Sequence, residues 1–198
     1  MSATSAPFGM RPAFHPSGLD RAQALAGGIV SGYGTDILKG APVRYNSTAG
    51  TSVAAGTITN AASGGAWSGS FQGVEWTDTT GRRRVSNYWP ASTTYQTGSC
   101  VAYFYNDANI VYEIQSDATM AQTSIGNEYN FNNVTAGSTT TGDSAYGING
   151  ASATTDAAFP IRVVDVVPET SYISGGVTYY YEFVVKFNLH QYLATTGV

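Results

Sequence analysis

Across residues 177–190, apolar side chains occupy every second position: Val177, Tyr179, Tyr181, Phe183, Val185, Phe187 and Leu189. The interleaved set, Thr178, Tyr180, Glu182, Val184, Lys186, Asn188 and His190, is mostly polar. Successive side chains of a strand point to opposite faces, so this pattern predicts a long strand with the first set turned to a core. At about 3.3 Å per residue the run would reach roughly 40 Å, which is long for one domain. A bulge, or a partner past the fold's own edge, is therefore expected. Shorter runs carry the same period. Ile110, Tyr112 and Ile114 alternate with Val111, Glu113 and Gln115, and Val101–Tyr105 precedes them across residues 106–109. That pair reads as a hairpin. Residues 73–76 and 83–89 flank Asp78-Thr79-Thr80-Gly81 and predict a second one. Residues 161–167 form a largely apolar strand ended by Pro168.

One helix is expected, over residues 17–26. Ser17 or Asp20 would cap it, Ala22, Ala24 and Leu25 would fill it, and Gly27-Gly28 would close it. It is too short to stand alone in water. The predicted class is all-β: a β-sandwich or barrel-like core with an extended N-terminal arm and at most one short helix. The arm is residues 1–18, where Pro7, Pro12 and Pro16 keep the chain extended. Phe8, Met10, Pro12 and Phe14 then share one side of it. Residues 19–198 form the β-rich body, with a sub-division near 100–115 left open. Within the body, residues 135–158 have few apolar anchors and read as a long flexible loop or a weakly ordered edge.

Composition narrows the classes. Only 11% of the 198 residues are charged, against about 25% in average proteins, and the formal charge is −4. Duplex binding needs clustered positive charge, so nucleic acid is not the expected partner. No apolar run approaches the roughly 18 residues of a membrane span, and the N-terminus has no signal-peptide pattern, so no membrane partner is expected. A single cysteine excludes an internal disulfide framework. Aromatics at 13% supply enough burial to exclude disorder.

Catalytic signatures are missing. Neither G-x-S-x-G nor G-x-x-x-x-G-K-[ST] occurs. Gly27-Gly28 and Gly32-Tyr33-Gly34 lack the dinucleotide spacing and read as turns. His15 and His190 stand beside no nucleophile or carboxylate cluster in sequence, so no metal and no cofactor are expected. Glu113 and Asp117, with Asp107 nearby, are the acids to test for glycoside hydrolysis, which needs two carboxyls about 5–9 Å apart. Asp117 lies in polar turn sequence, and the pair reads as solvated acids. Gly81-Arg82-Arg83-Arg84 holds three of the nine positive charges. Arginine pairs bidentately with carboxylates, so the cluster suits a neighbouring acidic protein surface, or else a solvated hairpin tip. Tyr88 and Trp89, before Pro90, are either core or an interface anchor.

The stretches SAPFGMRPAFHPSG, GGIVSGYGTDILKGAPV, FQGVEWTDTTGRRRVSNYWPA, IVYEIQSD and KFNLHQ resemble a group of tailed-bacteriophage head structural proteins of the capsid decoration, or cement, type. The resemblance touches most of the chain and is clearest over residues 6–45, 71–90 and 110–128. It implies a β-rich, non-enzymatic virion protein on the outside of the capsid, made in the host cytoplasm. Its implied partners are the major capsid protein and further copies of itself, often as a trimer. This chain is far longer than the small lambda-type decoration proteins, so their trimeric state and single-domain layout do not carry over directly.

Coat or subunit contacts are expected at Phe8, Met10, Arg11 and Phe14 in the arm, and at Arg82, Arg83, Arg84 and Trp89. Deleting residues 1–16 is expected to leave a folded protein that no longer decorates capsids. The rival readings are a carbohydrate- or receptor-binding module of a phage fibre or tail, with Tyr and Trp stacked on sugars, and a glycan hydrolase using Glu113 or Asp117. A main shell protein is a further rival, disfavoured by the scarcity of helix, which is an argument from fold analogy.

Overall fold

A computed structural model describes residues 6–18, 23–26, 28–46, 55–60, 66–132, 137–155 and 158–193. The protein is all-β, with 47% strand and, among the described residues, no helix of seven residues or more. In chain order the strands are β1 (Arg11–Phe14), β2 (Gln23–Ala26), β3 (Pro42–Tyr45), β4 (Ile58–Asn60), β5 (Gly69–Thr77), β6 (Arg83–Ser86), β7 (Val101–Tyr105), β8 (Val111–Ala121), β9 (Glu128–Tyr129), β10 (Gly137–Ser138), β11 (Asp143–Ser144), β12 (Ile161–Val166), β13 (Tyr172–Ser174) and β14 (Val177–Phe187). The first large sheet runs β1-β8-β14-β12-β9, with β13 also on β14; the second runs β2-β7-β5-β3-β4, with β6 also on β5. Every pair among the described strands is antiparallel, and among the described residues neither large sheet closes on itself.

One hydrophobic core takes in residues of both sheets. Phe131 is its hub between them, edge-on to Trp67 at 5.2 Å, Tyr146 at 6.2 Å and Phe187 at 6.4 Å. Edge-to-face rings place positive edges against negative faces, which adds to their burial.

The long C-terminal strand exists as β14, and it carries the expected irregularity. Phe183, Val185 and Phe187 are buried, but nearer the strand's start it is Tyr180 that faces inward, and Val177, Tyr179 and Tyr181 do not. The pairing explains the change of phase. Tyr180 lies opposite Met120 and Glu182 opposite Gln115, so residues 116–119 of β8 bulge out across a single residue of β14. A bulge breaks strict alternation, and every side chain before it swaps faces.

Two expectations are corrected. Val101–Tyr105 and the strand after it do not form a hairpin. β7 sits between β2 and β5, so both its edges are taken, and β8 pairs with β1 and β14 instead. Residues 106–110 carry the chain from one sheet to the other, with Ile110 buried and Asn109 N–H donating to Asp107 Oδ1 at 2.7 Å. The expected helix over 17–26 is also overturned where it is described. Residues 23–26 form β2, in register with β7 from Gln23↔Phe104 to Ala26↔Val101. A helix this short lacks support of its own, whereas the open edge of β7 offers a ready ladder. Residues 19–22 and 27 lie outside the described set.

The described part of the expected loop over 135–158, residues 137–155 and 158, is anchored. Tyr146 and Ile148 are buried, β10 pairs with β11, and Ile148 bridges both Ser116 and Phe131. Asp117 in the β8 bulge accepts from Gly150 N–H at 2.9 Å, so bulge and loop hold each other.

Candidate functional site

The arm is built into the body. β1 is an edge strand of the first sheet, with Arg11 opposite Glu113 and Pro12 opposite Tyr112. Proline has no N–H to offer a further strand, which suits an edge. Just before β1, Gly9 N–H donates to Tyr146 O at 3.0 Å and Met10 N–H to Gly40 O at 2.8 Å, while Ser70 Oγ donates to Met10 O at 2.7 Å. The arm thereby joins both sheets. Met10 is only 1% exposed, so it has no surface with which to touch another chain, and its expected contact role is corrected. Phe8 is half-buried, Arg11 is exposed and Phe14 is 54% exposed. The Arg11 guanidinium lies 4.5 Å from the Phe8 ring centroid and 3.1 Å from Glu113.

The second expected cluster divides. β5 and β6 form the predicted hairpin, and Gly81 turns its tip at φ +87°. Asp78 organises that tip by accepting from Thr80 Oγ1 at 2.6 Å, Thr80 N–H at 2.9 Å and Arg82 N–H at 3.0 Å. The Thr80 hydroxyl is the main reason its carboxyl is held well below the usual range. Arg84 pairs with Asp78 at 3.0 Å and Arg83 with Glu75, whose carboxylate also accepts from the Tyr103 hydroxyl. Two of the three arginines therefore spend their charge inside the chain. All three stay exposed, and the Arg82 side chain forms no ion pair among the described residues. Trp89 is fully buried, edge-on to Trp76 at 5.7 Å and Tyr95 at 6.0 Å. It is core, and its expected interface role is corrected.

Sequence reasoning passed over the β13–β14 hairpin. Its two-residue turn, Gly175-Gly176, has φ of +57° and +79°, the left-handed pair that glycine adopts freely and that matches strand twist. Ile173 is 75% exposed, Val177 44% and Tyr172 40%. Tyr172 stacks on Tyr179 at 5.6 Å and on Tyr181 at 5.9 Å. No charged residue falls between Glu169 and Glu182. The signal was present in Gly-Gly between two uncharged runs.

Protein-family models, curated sequences and solved structures all give no match to this chain. The chemistry therefore rests on the residues themselves. Glu113 faces Arg11, Asp117 caps Gly150 N–H, and Asp107 holds Asn109 N–H with His15 Nε2 3.1 Å from its other oxygen. Among the described residues no three of His, Cys, Asp and Glu gather as metal ligands, and no helix is long and apolar enough to cross a membrane. Burial pushes the Cys100 thiol up to about 11, where little thiolate exists at neutral pH. The three tryptophans, Trp67, Trp76 and Trp89, are all buried and offer no stacking platform for a sugar.

His190 gives a pH signature. It is 2% exposed; its Nδ1 accepts from Tyr192 N–H at 3.1 Å, so Nε2 carries the proton and donates to Ser68 O at 3.0 Å. Burial lowers its pKa below the ordinary 6.5. The folded state then binds fewer protons than the unfolded state once pH falls below about 6.5, so stability drops there and levels off below the folded value. The expected result is a falling melting temperature from pH 7 to pH 5. In His190→Asn, less stable at pH 7, that slope should flatten. An unchanged slope would assign the effect to other groups.

Proposed function

We propose that this chain is a non-enzymatic virion structural protein that binds and stabilises the outer surface of a phage capsid, with the major capsid protein as partner and further copies of itself alongside. The observation that carries this reading is the exposed apolar set Tyr172, Ile173 and Val177 on the charge-free β13–β14 hairpin of a chain of net charge −4. Exposed apolar patches are costly in water and mark contact surfaces. Absence of like charges lets such a surface approach an acidic protein without repulsion. Copies repeated over a lattice turn modest contacts into large collective stabilisation, and binding only the assembled shell stabilises it by linkage.

The test adds the purified protein to tailed-phage shells that lack it and follows occupancy and the temperature of shell rupture. Saturable binding and a raised rupture temperature are expected. Ile173→Asp with Val177→Asp, both on exposed positions, should abolish binding while leaving the melting curve close to that of the parent. No binding by the parent chain, or full occupancy by the double variant, would overturn the proposal.

A further inference from the structure

Beside the arm lies a cleft of about 480 Å³ that the capsid reading does not use. Phe8 and Pro12 make its walls apolar, and four polar side chains from four separate segments meet on it: Arg11 of β1, Lys39 ahead of β3, Gln72 of β5 and Asp143 of β11. A second cleft of about 330 Å³ shares Phe8 and Asp143 with the first and adds the hydroxyl-bearing Ser138 and Thr141. Small-molecule sites have this size and this make-up, mostly apolar with a few convergent polar groups.

The polar groups define the ligand. Lys39 and Asp143 are both exposed and form no ion pair with each other or with any other described residue. Arg11 pairs with Glu113 through one nitrogen, which leaves further N–H donors on a fork suited to carboxylates. Gln72 donates to Ser70 Oγ at 3.2 Å and keeps its carbonyl oxygen as an acceptor. A matching ligand brings an anion for Arg11 and Lys39, hydrogen-bond donors for Asp143 and Gln72, and a C–H face for Phe8. A simple carboxylic acid leaves Asp143 unanswered, and a neutral sugar leaves the two cations unanswered. Inorganic phosphate has no apolar face.

We propose that this cleft binds a polyhydroxylated carboxylic acid of the uronic-acid class. The carboxylate sits between Arg11 and Lys39, ring hydroxyls donate to Asp143 and Gln72, and the ring's C–H face lies on Phe8 and Pro12. Nothing in this site depends on capsid binding.

The test titrates the isotope-labelled full chain with sodium glucuronate and follows amide shifts by NMR. Saturable shifts confined to the amides of Phe8, Lys39, Gly40, Gln72 and Asp143 are expected, with a dissociation constant on the order of 1 mM, as suits so small a ligand. Glucose and sodium acetate should each bind at least about tenfold more weakly, a factor set by one or two lost polar contacts. Lys39→Met and Asp143→Asn, both at exposed positions, should each weaken glucuronate by a similar factor with unchanged melting curves. Absence of saturation, an equal response to acetate, tighter binding of a short Asp-rich peptide, or indifference to both substitutions would overturn the proposal.

Discussion

Removing residues 1–16 is expected to unfold the protein, not merely to strip it of an attachment point. The truncation takes Met10 out of the core, and burying a side chain of that size is worth about 2–5 kcal/mol when measured by its loss to alanine. It also orphans Tyr146 O and Gly40 O, takes away the acceptor of the Ser70 hydroxyl, and exposes the edge of β8 that β1 covers. A domain's whole stability is about 5–15 kcal/mol, so these losses together approach it. A single substitution probes the same joint. Gly9 has φ +82°, and a Cβ there would lie 2.2 Å from Ser144 Oγ and 2.7 Å from Gly40 O. Gly9→Ala should therefore dislodge the arm and lower the melting temperature steeply. Circular dichroism melts of both proteins are the check; a truncated chain that melts like the full one would show that the arm is dispensable to the fold.

Trp89→Ala is expected to cost about 3–5 kcal/mol, the range for removing a large aromatic from a packed interior. Its ring meets Trp76 and Tyr95 edge-on, and its backbone exchanges hydrogen bonds with Ile37 at 2.8 and 3.1 Å. Among the described residues its buried indole N–H has no acceptor, so Trp89→Phe should cost far less, since no polar partner is lost. Urea unfolding midpoints separate the two readings of this residue. A surface anchor would leave both variants near the parent, whereas a core residue gives a large loss for alanine and a small one for phenylalanine.

Legibility differed from residue to residue for physical reasons. The β5–β6 hairpin could be read because Asp78-Thr79-Thr80-Gly81 closes its turn with local hydrogen bonds, which are encoded within a few residues. The partners of β7 could not, and a hairpin with β8 was expected in their place, because the choice was made by β2 and β5 competing for the edges of β7. Met10 and Phe14 share one side of the arm by period, yet one is core and the other exposed, because the β1–β8 register slips between Pro12 and Phe14 and alternation is lost there. The arginines were visible as a cluster, but their intramolecular partners Glu75 and Asp78 become neighbours only when β5 pairs with β6. The cleft was invisible for the same reason: Arg11, Lys39, Gln72 and Asp143 are far apart along the chain.

By itself the sequence determined that the chain is built of strands, where the longest of them run, and that the C-terminal one is long enough to call for a bulge or a partner beyond the fold's edge. Those properties follow from side-chain period and turn chemistry, which act over a few residues. Tertiary structure alone decided which strands share a sheet, that the arm is a structural strand, and which polar groups converge beside it. Edge pairing and burial depend on contacts between distant segments, and these have no local sequence signature.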